Sequence, residues 1–298
     1  MALVAMGVGA VTVMAMVVVA GPGEQREGPA APVAIVTEVP VVTTTPTTTP
    51  TTTQPTTTTT TAVAATEPPV VEPPAQAPPT VDLAGVAPGV RRGVAVFDRH
   101  AGAEVFAERP EEAFPAASVI KLLIALDALE RGAAPPDVVA EMLSTSDDGI
   151  ANRLWRQAIP RTWAARIGLD GLVPPPDPNM WGDTLMTARD VVAVYRHVLD
   201  SPQADVVLPA LANATPRGAD GVDQTFGIPA GLDGHRWAVK QGWACCYSGQ
   251  RALNTTGVVD DRFLVAVLTE QPASTGFAAA AKEVTVLAAA LDPLFESA

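Results

Sequence analysis

Lysine is scarce in this chain: of 19 basic residues only Lys121, Lys240 and Lys282 are lysines, and the rest are arginines. Arginine does not lose its proton in a protein, whereas a partly desolvated lysine can, so the positions given to lysine are candidates for proton transfer. Ser118-Val-Ile-Lys121 sets a hydroxyl and an ammonium three residues apart, on one face of a helix. Such a pair can act as nucleophile and base. The start of that helix would also offer backbone N–H groups to an oxyanion developing beside Ser118. The plainer reading of these four residues is a capping serine and a surface charge. Two further groups follow in order: Ser146-Asp147-Asp148 at a turn, and Lys240-Gln241-Gly242 at the end of a strand. Other chemistries find less support. No Gly-x-Ser-x-Gly elbow occurs, and His100, His197 and His235 are scattered over a turn, a helix and a loop. Cys245 and Cys246 are neighbours, as a disulfide or as two thiols beside the sheet, and no histidine is placed near them to activate either.

In this order the three groups resemble the Ser-x-x-Lys, Ser-Asp-Asn and Lys-Thr-Gly motifs of the penicillin-recognising serine enzymes, the class A β-lactamases and D-Ala-D-Ala peptidases. The context is similar too, with Phe114-Pro-Ala-Ala leading into Ser118 and Asn152 standing four residues past Asp148. The resemblance covers about residues 92–291. It implies that Ser118 is the acylated nucleophile, Lys121 its base or proton shuttle, and Ser146 the relay to the leaving nitrogen. Lys240 would supply positive potential for Ser146 and for a substrate carboxylate. The substrate-binding positions it implies are Asp148, Gln241, Gly242 and Trp243: Gly242 would leave room beside the strand, and the N–H groups of Ser118 and Trp243 would form the oxyanion hole.

Three departures from the pattern matter. Asp148 stands where the second motif has Asn, so an amide donor becomes an acceptor that would hold Lys121 protonated. Gln241 stands where the third has a small hydroxyl. No Glu occurs between Glu141 and Glu270, so the residue that activates the deacylating water in class A β-lactamases has no counterpart. Asp170, Asp177 and Asp183 are the carboxylates of that loop; Asp177 is the best candidate to substitute, though its side chain is shorter and prolines flank it.

These residues need a scaffold, and the patterns predict one. Residues 92–97 alternate as a strand, 98–103 turn, and 104–107 return. From Ser118 the positions Val119, Leu122, Leu123, Leu126 and Leu129 keep helical spacing up to Gly132. The middle of the domain reads as helices and loops. Thr187 and Asp190 form a capping box before a helix at 188–199, and Pro174 to Pro178 excludes helix. Strands return at 237–240, 252–259 and 263–269 with Asp260-Asp261 as a turn, and an Ala-rich helix spans 276–291. The expected fold is a three-layer α/β domain: an antiparallel sheet completed from both ends, flanked by helices, with an all-helical lobe inserted at about 133–234. The site belongs in the crevice between them.

Outside this domain the composition changes. Residues 2–20 carry no charge, and both a signal peptide cleaved after Val18-x-Ala20 and an uncleaved membrane anchor fit a segment at 1–23. No cysteine follows it for lipid attachment, which excludes a lipoprotein at this end. Thr43 to Thr61 holds 15 Thr, 3 Pro and one Gln, so residues 24–80 are expected to form an extended stalk rather than a domain. The globular domain is assigned to 81–298. With 32 acidic against 19 basic residues, the net charge of −13 argues against nucleic acid as a partner. Two Cys and three His argue against a zinc site, and neither metal nor cofactor is expected.

The reading is therefore an exported or membrane-anchored serine acyl-enzyme at the cell envelope, a monomeric catalytic domain acting on a β-lactam or peptidoglycan-like acyl substrate with weak deacylation. The altered motifs support a second reading, an inactive envelope protein that keeps the groove for binding. A stalked adhesion module rests on the threonine tract alone.

Overall fold

The computed structural model describes residues 80–296. The expected segment 1–23 and all but the last residue of the expected stalk lie outside the described residues. From the N-terminal side come β1 (Arg91–Asp98), β2 (Ala103–Glu108) and the short β3 (Phe114–Pro115). A 3₁₀ turn at Ala117–Ile120 leads into α1 (Lys121–Arg131). The lobe carries α2 (Pro136–Ser144), α3 (Asp148–Leu154), α4 (Ile159–Ile167), β4 (Leu185–Met186), α5 (Ala188–Leu199), α6 (Ala204–Ala212) and α7 (Ile228–Gly231). The chain then returns through β5 (Trp237–Tyr247), β6 (Gln250–Val259), β7 (Phe263–Pro272), α8 (Phe277–Ala289) and α9 (Pro293–Glu296).

The main sheet is antiparallel, in the order β2-β1-β7-β6-β5, so β1 sits between its hairpin partner and the last strand of the chain. Side chains alternate across a strand, and the two faces bury separate cores. Ala95, Leu264, Ala266 and Leu268 pack with α1, α2 and α5 on one side. Val94, Val96, Val265 and Val267 pack with Leu287, Leu291 and Phe295 on the other. This is the three-layer arrangement expected from the pattern, with the lobe's regular elements helical apart from β4, which pairs with β3, and two isolated bridges at Val173–Leu185 and Arg217–Asp223.

Local signals explain the ends of the elements. Helix α1 stops at Gly132, whose φ of 60° is the left-handed conformation that a glycine C-cap accepts without a Cβ clash. Helix α5 begins with the expected box, Thr187 and Asp190 satisfying each other's backbone N–H. Asp260 and Asp261, both at positive φ, turn β6 into β7. Ser248-Gly249 does the same between β5 and β6, which carries β5 on to Tyr247, well past the expected end at residue 240.

Candidate active site

Ser118 stands in the 3₁₀ turn, just ahead of α1, and Lys121 is the first residue of that helix. Ala117 before it has φ 47°, a conformation costly for a residue with a Cβ, and Ser146 at the head of α3 has φ 56°. Tertiary contacts hold the Ser118 segment in place. Buried Asn254 of β6 donates to the carbonyls of Pro115 (2.9 Å) and Ala116 (3.3 Å), while its own carbonyl accepts from Thr269 N at 3.0 Å. Gly242 of β5 faces the same segment, where a Cβ would lie 2.8 Å from the Ala116 oxygen and 3.0 Å from Val119. The room expected at Gly242 for substrate is thus taken up by the close approach of strand and turn.

The four expected catalytic side chains meet. Lys121 Nζ donates to Ser118 Oγ at 2.8 Å, to Ser146 O at 2.7 Å and to Ser146 Oγ at 3.1 Å. Lys240 Nζ donates to the same Ser146 Oγ at 2.9 Å and to Gln241 O at 3.0 Å. A continuous hydrogen-bonded chain therefore runs Ser118, Lys121, Ser146, Lys240. All four residues are buried, with Lys121 at 0% and Lys240 at 1% exposure.

Asp148 closes on Lys121 at 2.6 Å, the contact expected of a carboxylate at this position. Burial lowers the Lys121 pKa below the ordinary lysine value, and Asp148 acts against that shift. Lys240 is pushed further down: burial is the main cause, the Lys121 charge adds to it, and no carboxylate bonds to it directly.

Above this floor opens a cleft of about 680 Å³, lined by Ser118, Asp148, Asn152, Trp181, Asp183, Asp220, Trp243 and Tyr247 among others. Trp181 lies over Lys121 Nζ, 4.8 Å from the ring centroid, and donates its indole N–H to Asn152 Oδ1 at 2.7 Å. Trp243 donates its indole N–H to Asp220 at 2.8 Å. Strand β5 pairs only with β6, so as an edge strand it leaves alternate backbone N–H groups unpaired in the sheet. Cys245 and Cys246 form a disulfide in the cleft wall, and both are exposed.

Two expectations are corrected. Gln241 does not line the cleft: its amide is buried and donates to the carbonyls of Gln224 and Phe226, tying β5 to the loop before α7. Asp177 does not face the site either. It is exposed and accepts from Asn179 N at 2.9 Å in a local turn, whereas Asp183 lines the cleft. Asn254, Trp181 and Asp220 escaped the sequence reading. Only Asn254 carries a signal there, as an amide in the middle of an otherwise well-formed strand.

A Ser–Lys–Ser–Lys floor under a cleft between sheet and helical lobe defines a β-lactamase-like α/β protein. Solved structures agree on the fold. A class A β-lactamase of the last common ancestor of Gram-negative bacteria superposes with TM-score 0.59 at 20% identity, covering 72% of this chain and 97% of that one. A β-lactamase from Burkholderia vietnamiensis gives 0.59 at 19% identity, covering 72% and 96%. PBP-A gives 0.54 at 20% identity, covering 71% and 92%. No protein-family model matches the chain. In sequence, 214 residues are 36% identical to the protein described as "Putative lipoprotein LppW" in Mycobacterium tuberculosis and Mycobacterium bovis, covering 65% of this chain and 68% of the relative. The chain belongs to the LppW family.

Proposed function

We propose that this protein is an exported serine acyl-enzyme acting on a β-lactam or a peptidoglycan-like acyl substrate. The observation that carries the reading is the unbroken chain of hydrogen bonds from Ser118 through Lys121 and Ser146 to Lys240. Ser118 Oγ attacks the acyl carbonyl, and its proton passes to Lys121 in the neutral state that burial favours. The N–H groups of Ser118 and Trp243 receive the oxyanion. Ser146, between two lysines, returns a proton to the leaving atom. Asp148 and Trp243 contact the substrate, while Gln241 and Gly242 act indirectly by shaping the wall.

Deacylation is slow in this reading. No Glu lies between Glu141 and Glu270, and Asp183 is the loop carboxylate that reaches the cleft. The uncharged segment at 1–23, as signal peptide or anchor, and the Thr/Pro stalk at 24–80 would hold the domain 81–298 at the cell envelope, in keeping with a relative described as a lipoprotein. Among the described residues no helix is long and apolar enough to cross a membrane.

A second reading has its own support. The 2.6 Å contact between Asp148 and Lys121 favours a charged lysine and hence a binding protein without turnover. Intact mass after incubation with benzylpenicillin, and separately with a neutral nitrophenyl ester, decides between them, with Ser118→Ala as control. A persistent Ser118-dependent adduct supports the acyl-enzyme. Neither adduct nor released product with either probe supports the binding protein.

A further inference from the structure

Every charged side chain lining the cleft is an acid: Asp148, Asp183 and Asp220, with no Arg, Lys or His in the lining. The two lysines below are buried and do not line the cleft: Lys121 donates to Ser118, Ser146 and Asp148, and Lys240 to Ser146 and the Gln241 carbonyl. Asp148 is already paired with one of them. Asp220 is fixed by the indole N–H of Trp243 and feels the two buried lysines through space but makes no salt bridge among the described residues, and the Asp183 carboxylate has neither ion pair nor hydrogen bond there. Three aromatic residues, Trp181, Trp243 and Tyr247, also line the wall, and the faces of Trp and Tyr rings attract cations.

From this we infer that the cleft takes an acyl compound carrying an ammonium group, held by Asp183 and Asp220 against the rings of Trp181, Trp243 and Tyr247. The inference rests on the acyl-enzyme reading and names its substrate class. A carboxylate in the same place would meet three acids at short range and no accessible cation, which Coulomb's law penalises most where water is partly excluded. Asp183 is partly desolvated and feels the like charge of Asp177, both of which raise its pKa, and a cation beside it would favour the carboxylate against both. Quaternary ammonium groups suit such a site, because they need no hydrogen-bond acceptors and gain from ring faces and net negative potential together.

The test uses three nitrophenyl esters of one chain length, ending in trimethylammonium, in its neutral tert-butyl isostere, or in carboxylate. In each reaction the bond from Ser118 Oγ to the acyl carbon forms, the bond to nitrophenolate breaks, and the serine proton goes to Lys121. We expect the ammonium ester to acylate Ser118 about tenfold faster than the neutral one and the carboxylate ester to be slowest, with the preference shrinking in high salt. Asp183→Asn and Asp220→Asn, made separately, should each slow the ammonium ester more than the neutral one.

Tetramethylammonium binding, followed by calorimetry in the full chain and in both variants, separates the two levels of the argument. Equal rates, or a faster carboxylate ester, would overturn the ammonium inference and leave the acyl-enzyme standing. Tetramethylammonium binding that is weakened in the variants, with no adduct from any ester, would remove the acyl-enzyme and keep an ammonium-binding cleft. Neither binding nor adduct would remove both.

Discussion

Two kinds of buried charge coexist in this domain. Asp98 accepts two bonds from Arg262 and two from the backbone N–H groups of His100 and Ala101, and the guanidinium draws its carboxyl pKa down to about 2. Asp127 is gripped by Arg131 and Arg156. In these clusters each acid has its base and its hydrogen bonds. The floor of the cleft is built differently: two buried ammonium groups share one serine hydroxyl, and the single carboxylate among them has 62% of its side chain exposed. Buried charges left short of partners cost stability, and proteins keep them where proton chemistry needs groups poised to change state. Balanced clusters hold this molecule together. The unbalanced one lies under the cleft.

That contrast can be broken in four ways, in falling order of effect. Lys121→Arg keeps the charge but forbids deprotonation, and should reduce Ser118 acylation by about a thousandfold, near 4 kcal/mol in the barrier; retained acylation would take Lys121 out of the base role. Lys240→Met should cost about a hundredfold in acylation while raising the melting temperature, since it removes an ammonium without a carboxylate partner.

The pH dependence carries a matching sign. Lysines with lowered pKa bind fewer protons folded than unfolded, so stability rises with pH from the lowered value towards the ordinary one, and the rise should be smaller in Lys240→Met. Asp98→Asn should destabilise by about 2 kcal/mol in urea titration and leave acylation unchanged. Its depressed carboxyl contributes stability that is present above the unfolded carboxylate value and lost as pH falls towards 2, so the variant should lose part of that acid dependence. Asp148→Asn should raise the acylation rate about tenfold and move the pH–rate profile to lower pH, because the restraint on Lys121 deprotonation is gone. An unchanged profile would show that the ion pair does not govern this lysine.

Much of the scaffold is legible from short-range rules. The helix at 188–199 and its cap, the end of α1 at Gly132 and the Asp260-Asp261 turn each follow from residues a few positions apart. The Ser118–Lys121 contact is legible for the same reason, being one helical turn. What escaped depends on approach in space. Gly242 reads as an opening until the carbonyl of Ala116, far away in sequence, is seen beside it. Gln241 reads as a substrate contact until the loop at 224–226 arrives to take its amide. Asp177 and Asp183 are equivalent in composition, and only the local turn with Asn179 separates them.

The pairing of β1 with β7, and the grip of Asn254 and Gly242 on the residues before Ser118, also set an order in time. Ser118 is made before the strands that fix it, and a ribosome or translocation pore delivers it long before β5, β6 and β7 emerge. Until then the serine and Lys121 are near each other in sequence but lack Ser146's second lysine and the strand beside them. The floor of the cleft is thus assembled late and all at once, with closure of a sheet whose contacts span most of the domain, which is the topology expected to fold slowly. A chain shortened by its last strands would carry every residue of the first two motifs and no working floor beneath them.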